Sequence, residues 1–510
     1  DRPLFGPMSD EAADPPVAEP AAEPAAAEPA AEPAPAEGGG SNIRDDDDDP
    51  GPPPPKFVKT PSGESLPALA DGEYDAIVLG TGLKECIISG LLSTDKLRVL
   101  HMDRNSYYGG ESASLNLKQI FERFRPGTEP PEALGSTRDY NIDLVPKFIM
   151  ATGKLVKMLI HTDVTKYLEF KSVEGSYVFK DGKVNKVPAT DMEAAKTPLV
   201  GFFEKKRCRK FFIFVQDYDE ANPKTHDGMD LTKMTATAFF AKFGLEQGTI
   251  EFLGHAMALF SDDAYLEQPA INLIRRIKLY AESLARYQKS PYIYPLYGLG
   301  ELPQAFARLS AVYGGTYMLS RAVDEIVYND KGEAVGVKSE GQYASCKFLV
   351  GDPSYFPKKV TKTARVVRAI CVLNHPITPG GEFSAQIIIP QRSVGRHNDI
   401  YVFCCSWQHC VAASNKFLAF VSTIVETQNP KEELKAGLAL LGAVEECFYD
   451  EYDMLQPADD GSADKCFVSK SYDPSTHFET TSDDVLDLYQ RITGTKLDLT
   501  QQRVEHQEVE

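Results

Sequence analysis

The feature that most limits what this chain can fold into lies between Glu73 and Glu111, EYDAIVLGTGLKECIISGLLSTDKLRVLHMDRNSYYGGE. The apolar run Ala76-Ile-Val-Leu79 reads as a buried parallel strand. Gly80-Thr-Gly82 is a tight turn. Residues 83–92 follow as a helix with Leu83, Ile87, Ile88, Leu91 and Leu92 on one side. A second strand over residues 98–102 ends in Asp103, 21 positions after Gly82. This is the layout of a dinucleotide-binding βαβ unit.

One element of that layout is wrong. The third glycine of G-x-G-x-x-G is replaced by Glu85. Glycine there lets the helix pack close to the strand and leaves its N-terminus open to a pyrophosphate. A glutamate adds bulk and a negative charge where a phosphate would sit, and it can occupy the positive end of the helix dipole itself. Lys84 offsets the charge but not the bulk. The expectation is a nucleotide-binding scaffold with a compromised nucleotide site. A working flavin site that tolerates the substitution is the alternative.

At 510 residues the chain is longer than one core requires, so two domains are expected. The net charge of −20 argues against nucleic acid and against simple electrostatic adhesion to anionic lipid. That charge is unevenly spread. Residues 1–55 hold 14 acidic and 2 basic side chains, a balance of −12, which leaves −8 for the rest. Their Ala-Glu-Pro repeats, Asp45 to Asp49 and Pro52 to Pro55 have no apolar periodicity, so residues 1–70 are expected to be a disordered acidic extension. This stretch lacks the apolar core of a secretory signal, and the last ten residues hold no cysteine for prenylation. Nine scattered cysteines, an odd number, point to reduced thiols. Cys404, Cys405, His409 and Cys410 have poor ligand spacing for zinc, and the first two read as part of a strand.

Farther along, residues 142–160 combine an extended start with an apolar-periodic helix, and residues 167–187 alternate as hairpins around Asp181-Gly182. Residues 190–287 read as helical. Asp230 is the expected N-cap of a helix over 231–243, Ile250, Leu253, Met257 and Phe260 recur at helical spacing, and 272–286 is another helix. A helical block inside an α/β pattern reads as an inserted domain. It contains the basic run Lys205-Lys-Arg-Cys-Arg-Lys210 among several phenylalanines, read as a core face beside a solvated one. Strands resume near 317, with further ones expected at 335–338, 347–350, 364–373, 385–389, 399–405 and 417–425. Helices are expected at 430–441 and 482–492. The stretch from Pro291 to Gly300 leads into a helix opened by Glu301 and stopped by Gly314-Gly315. Glu301 and Arg308 share a face two turns apart, with Thr316 and Met318 starting the next strand, a grouping suited to protein recognition.

At this point the chain resembles the Rab GDP-dissociation inhibitors, a family related to the Rab escort proteins. The resemblance rests on Val78-Leu-Gly-Thr-Gly-Leu-x-Glu-Cys86, Val99-Leu-His-Met-Asp-Arg-Asn105, Tyr107-Tyr-Gly-Gly-Glu111, Ser283-Leu-Ala-Arg-Tyr287, Tyr294-Pro-Leu-Tyr-Gly-Leu-Gly-Glu-Leu-Pro-Gln304, Tyr313-Gly-Gly-Thr-Tyr-Met318 and Thr476-His-Phe-Glu-Thr-Thr481, across residues 71–510. It implies an α/β fold: a FAD-binding-like (Rossmann-type) multisheet domain at 71–187 and 291–510, with an inserted helical domain at 188–290. It further implies no cofactor, with Gly80, Gly82, Glu85 and Asp103 as a degenerate fingerprint. The implied Rab-binding platform is Tyr108, Glu301, Arg308, Thr316 and Met318. Arg286 and Tyr292 match a mobile loop that guides the Rab C-terminal tail. The helical block matches the domain that buries geranylgeranyl groups, with Phe211, Phe214, Leu253 and Met257 as candidate lining.

The family role is non-enzymatic. A cytoplasmic monomer binds prenylated GDP-bound Rab, slows GDP release and extracts the Rab from membranes, touching them transiently. Two alternatives stay open. A Rab escort protein would present unprenylated Rab to geranylgeranyl transferase, but such proteins carry inserts that 71–510 lacks. A flavin-dependent oxidoreductase would need an acid/base pair or nucleophile that no cluster here supplies.

Overall fold

The computed structural model describes residues 56–500. The expectations for residues 1–55 and for the last ten residues fall outside that range. The founding unit forms as read. Strands Ala76–Leu79 and Val99–Met102 pair in parallel and flank the helix Leu83–Thr94. They belong to a five-stranded parallel sheet with the order Thr316–Met318, Val99–Met102, Ala76–Leu79, Phe348–Gly351, Cys466–Val468. The four residues of each of the two founding strands are wholly buried, as a sheet covered on both faces requires.

A seven-stranded sheet forms a second layer. Its order is Lys183–Lys186, Gly175–Lys180, Ala385–Ile389, Ile400–Ser406, Phe417–Ile424, Val360–Leu373, Glu446–Pro457. The hairpin at Asp181-Gly182 forms as expected, with Lys183 opposite Lys180. The adjacent cysteines sit in Ile400–Ser406 and point to opposite faces, Cys404 into one core cluster and Cys405 into another. The strand Glu446–Pro457 has no counterpart in the sequence reading. Its charged, alternating pattern makes it an edge strand, formed by twelve residue pairs with Val360–Leu373.

Three expectations need correction. Residues 56–70 are folded, because Phe57–Lys59 and Ser65–Glu73 are strands of a separate five-stranded sheet. Leu69 is fully buried there, and Ser65–Glu73 pairs in parallel with Gln342–Ser345. That long-range partner, rather than local alternation, makes the segment a strand. Next, Asp230 caps a turn, accepting hydrogen bonds from Thr232, and the helix starts later as Ala236–Phe243 with Thr235 as its cap. Finally, the helix over 430–441 is two short pieces, Pro430–Glu433 and Lys435–Leu438.

The helical stretch forms as Asp191–Lys196, Lys205–Asp217, Ala236–Phe243, Gln247–Glu251 and Ala270–Tyr287. Between the last two lies a π-helical turn, Phe252–Met257. The inner faces of these helices, through Phe211, Phe239, Leu253 and Ile274, merge with the same buried cluster that holds Leu83, Ile88 and Phe306. Replacing Leu69 by Ala should lower unfolding free energy by about 2–4 kcal/mol in denaturant titrations. A change within about 0.5 kcal/mol would mean the strand Ser65–Glu73 contributes no core.

Candidate functional site

The glycine turn shows what became of the nucleotide site. Gly80 adopts φ +93°, which L side chains avoid, and a Cβ there would collide with the Asp352 carboxylate. Glu85 stands in the first turn of Leu83–Thr94, 1 % exposed, and accepts a hydrogen bond from Ser469 at 2.6 Å. Its carboxylate fills the space over Gly82. Lys84, equally buried, pairs with Asp484 at 3.1 Å, donates to the Lys470 carbonyl and lies over the Tyr472 ring.

Asp103, the expected ribose acceptor, is already engaged. Thr81 donates through its backbone N–H at 2.7 Å and its hydroxyl at 2.6 Å, and the Asn105 N–H donates at 2.8 Å. The space left among Gly82, Glu85, Glu111, Asp352 and Tyr472 is about 10 Å³, scarcely one water. Three carboxylates line it, and burial raises the pKa of Glu85, Glu111 and Asp352 alike. A diphosphate would meet negative charge and no room, so these residues do not fit a flavin dinucleotide.

A predominantly apolar opening lies in the helical layer. A cavity of about 400 Å³ is lined by Val187, Pro188, Ala194, Val200, Cys208, Phe212, Phe252 and Met257, with Asp191, Lys205 and Arg209 also on its wall. Ligand cavities span about 300–1,000 Å³. Asp191, Ala195 and Arg209 are exposed, which marks the side where the cavity meets solvent. Of the four candidate lining residues, Met257 alone lines it. Phe211 is wholly buried and packs against Phe239, Phe240 and Phe243. Phe214 packs on Phe239 and Phe243, and Leu253 is core. Along Lys205–Asp217 the cavity takes Lys205, Cys208, Arg209 and Phe212, a stripe at i, i+3, i+4 and i+7. That stripe is present in the sequence, but Phe211 and Phe214 on the same helix are the same residue type as Phe212, and only packing against Phe239 assigns those two to the core.

The cavity wall is fixed by charge. Phe252 and Met257 lie on the π-helical turn, and π-turns are frequent at functional positions. Gly254 is required there because a Cβ would strike the Tyr265 hydroxyl. His255 points away from the cavity into the protein. Its Nδ1 meets Asp399 at 2.8 Å and its Nε2 meets Asp263 at 3.2 Å, while Arg392 clasps Asp263 at 2.6 Å. Burial pushes His255 down, but hydrogen bonds to Asp263 and Asp399 outweigh it and raise the imidazolium to about 10. A charged histidine thus ties the helical layer to the start of Ile400–Ser406, the central strand of the seven-stranded sheet.

The expected platform is only partly brought together. Thr316 and Met318 share one face of the sheet's edge strand, and Tyr317 turns to the other. Tyr108, half-buried, has its ring 6.2 Å from that of Tyr317. Arg308 is exposed on the helix Glu301–Val312 and stacks over Tyr167 at 4.5 Å, while Glu301 is half-buried in the first turn. No hydrogen bond or ion pair joins these five side chains among the described residues. Arg286 is exposed in the last helical turn of Ala270–Tyr287. Tyr292 is not on a loop. It is fully buried in the strand Tyr292–Pro295, and Gln386 donates to its hydroxyl at 3.0 Å.

Comparison with known proteins agrees with this geometry. The family model described as GDP dissociation inhibitor matches residues 70–504. Guanosine nucleotide diphosphate dissociation inhibitor 2 of Arabidopsis thaliana is 61 % identical over 432 residues, covering 84 % of this chain and 97 % of the relative. A secretory pathway GDP dissociation inhibitor of Schizosaccharomyces pombe is 56 % identical over 84 % of this chain and 98 % of its own length. The crystal structure of a Rab GDI from Plasmodium falciparum superimposes with a TM-score of 0.81 at 45 % identity, over 84 % of this chain and 99 % of that one. An oxidoreductase from Methanosarcina mazei reaches a TM-score of 0.52 at 13 % identity, a likeness of fold alone. The fold is a flavoprotein-like scaffold with its nucleotide site closed, and the matching family and relatives are inhibitors of GDP dissociation. The chain belongs to the GDP dissociation inhibitor family.

Glu85 gives this site a pH signature. Its pKa is raised to about 7, mainly by burial, so the folded state holds the proton more tightly than the unfolded chain does. Stability through this group therefore falls as pH rises from about 4.5 to about 7. Glu85→Gln should remove that slope and stabilise the protein above neutrality by on the order of 1–3 kcal/mol in denaturant melts. Parallel pH profiles for variant and parent would refute the assignment.

Proposed function

We propose that this protein binds prenylated, GDP-bound Rab GTPases, retards loss of their GDP and carries them through the cytosol with their lipid enclosed in the helical cavity. The observation that carries the reading is the cavity of about 400 Å³ beside the π-helical turn, in a protein whose nucleotide site is filled by its own carboxylates. A buried CH₂ contributes about 0.8 kcal/mol, so a twenty-carbon prenyl chain resists water by on the order of 10 kcal/mol or more. A carrier must offer comparable apolar burial, and Val187, Val200, Phe212, Phe252 and Met257 supply such a lining.

Selectivity for the GDP state would come from the surface around Tyr108, Glu301, Arg308, Thr316 and Met318. By linkage, a protein that prefers the GDP form disfavours GDP release by the same factor. Arg286, exposed at a helix end, remains available for the Rab tail. Tyr292 enters this reading only as a support of the neighbouring fold. No described helix is long and apolar enough to cross a membrane.

Prenylated Rab loaded with GDP should be retained on the immobilised protein at least about tenfold better than Rab loaded with a GTP analogue. Equal retention would remove the nucleotide preference. Arg308→Ala and Tyr108→Ala should each weaken GDP-Rab binding by about tenfold while leaving binding of a geranylgeranylated peptide unchanged. Ala194→Trp should do the reverse, filling the cavity and lowering peptide affinity. Strong support of Rab prenylation by purified transferase would favour the escort reading instead.

A further inference from the structure

The loop between the helices Asp191–Lys196 and Lys205–Asp217 carries two adjacent phenylalanines almost wholly in water, Phe202 at 82 % and Phe203 at 86 % exposure. No other large hydrophobic side chain among the described residues is as exposed. Their rings meet edge to face, with centroids 5.5 Å apart. Val200 on one side of the pair and Lys205 on the other both line the apolar cavity, so the pair stands at its rim. Five of the next six positions after Glu204 are basic. Lys206 and Lys210 are exposed one helical turn apart and take part in no ion pair among the described residues, whereas Arg207 is held by Glu246 at 2.9 Å.

We propose that the Phe202–Phe203 tip and the basic face of Lys206 and Lys210 form a membrane-docking surface for anionic bilayers, which sets the cavity mouth against the lipid from which a prenyl chain is withdrawn. This rests on the lipid-carrier reading above. Two rings at a protruding tip are far smaller than a stable protein interface. They suit the apolar boundary of a bilayer, where aromatic side chains insert shallowly. The charge points the same way. The net charge of −20 lies mostly in residues 1–55, and Lys206 and Lys210, which have no ion-pair partner among the described residues, form a local positive patch that is attracted to a negative headgroup layer.

The test is co-sedimentation of the full chain with vesicles of phosphatidylcholine alone or mixed with phosphatidylserine. The parent should partition to the mixed vesicles several-fold better than to the neutral ones, and added salt should weaken that preference. Phe202→Ser/Phe203→Ser and Lys206→Glu/Lys210→Glu should each reduce partitioning by about tenfold, with unchanged thermal unfolding because these side chains pack on little. Binding of a fluorescent geranylgeranylated peptide in solution is measured in parallel and should be the same in both variants. Peptide binding that is absent in the parent while vesicle binding persists would sink the cavity reading and leave the docking surface standing. A parent that binds neither vesicle, or variants that bind as the parent does, would overturn the docking surface itself.

Discussion

Everything in this molecule depends on how the first helix meets the end of the chain. Glu85 accepts a hydrogen bond from Ser469, and Lys84 pairs with Asp484, contacts that span nearly 400 positions of sequence. In a cofactor protein this junction would be a cleft held open for a pyrophosphate. Here side chains of the protein occupy it, and the cleft has become a joint. The positive end of the helix dipole, a natural anion site, is answered by a covalently attached carboxylate. Closure at this point accounts for how a flavoprotein-like architecture persists without the ligand that would otherwise complete it.

With the cleft shut, the usable space has moved to the helical layer. The π-helical turn Phe252–Met257 serves two neighbours at once. Phe252 and Met257 face the apolar cavity, while His255 reaches back to Asp263 and Asp399. A buried imidazolium between two carboxylates is costly unless every charge is satisfied, and Arg392 completes the set. Removing one partner would strand a buried charge, so the wall of the cavity is coupled to the sheet more firmly than apolar packing alone would achieve. The cavity wall and the sheet are thereby mechanically connected through a few residues.

The surface distributes the remaining tasks. The edge strand Thr316–Met318 and the helix Glu301–Val312 project polar and aromatic groups on one part of the molecule. The loop before Lys205–Asp217 holds Phe202 and Phe203 at the rim of the cavity. On the function proposed here, protein recognition, lipid enclosure and contact with a bilayer would fall to separate elements. A partner could then engage one while another is still vacant, as stepwise withdrawal of a lipid-anchored protein requires.

Local sequence determined the βαβ unit, the loss of its third glycine and the family. Buried parallel strands appear as continuous apolar runs, and a turn chemistry is written in its own residues. Other features were settled only by tertiary structure. Ser65–Glu73 and Glu446–Pro457 are strands because distant partners supply their hydrogen bonds. Phe212 lines the cavity while Phe211 is core, and Tyr292 is buried instead of mobile. A cavity is the gap between elements far apart in the chain, and exposure is a property of what packs alongside. Neither is encoded in the spacing of neighbouring residues, which is why periodicity located the helices but not the side of each helix that meets the empty space.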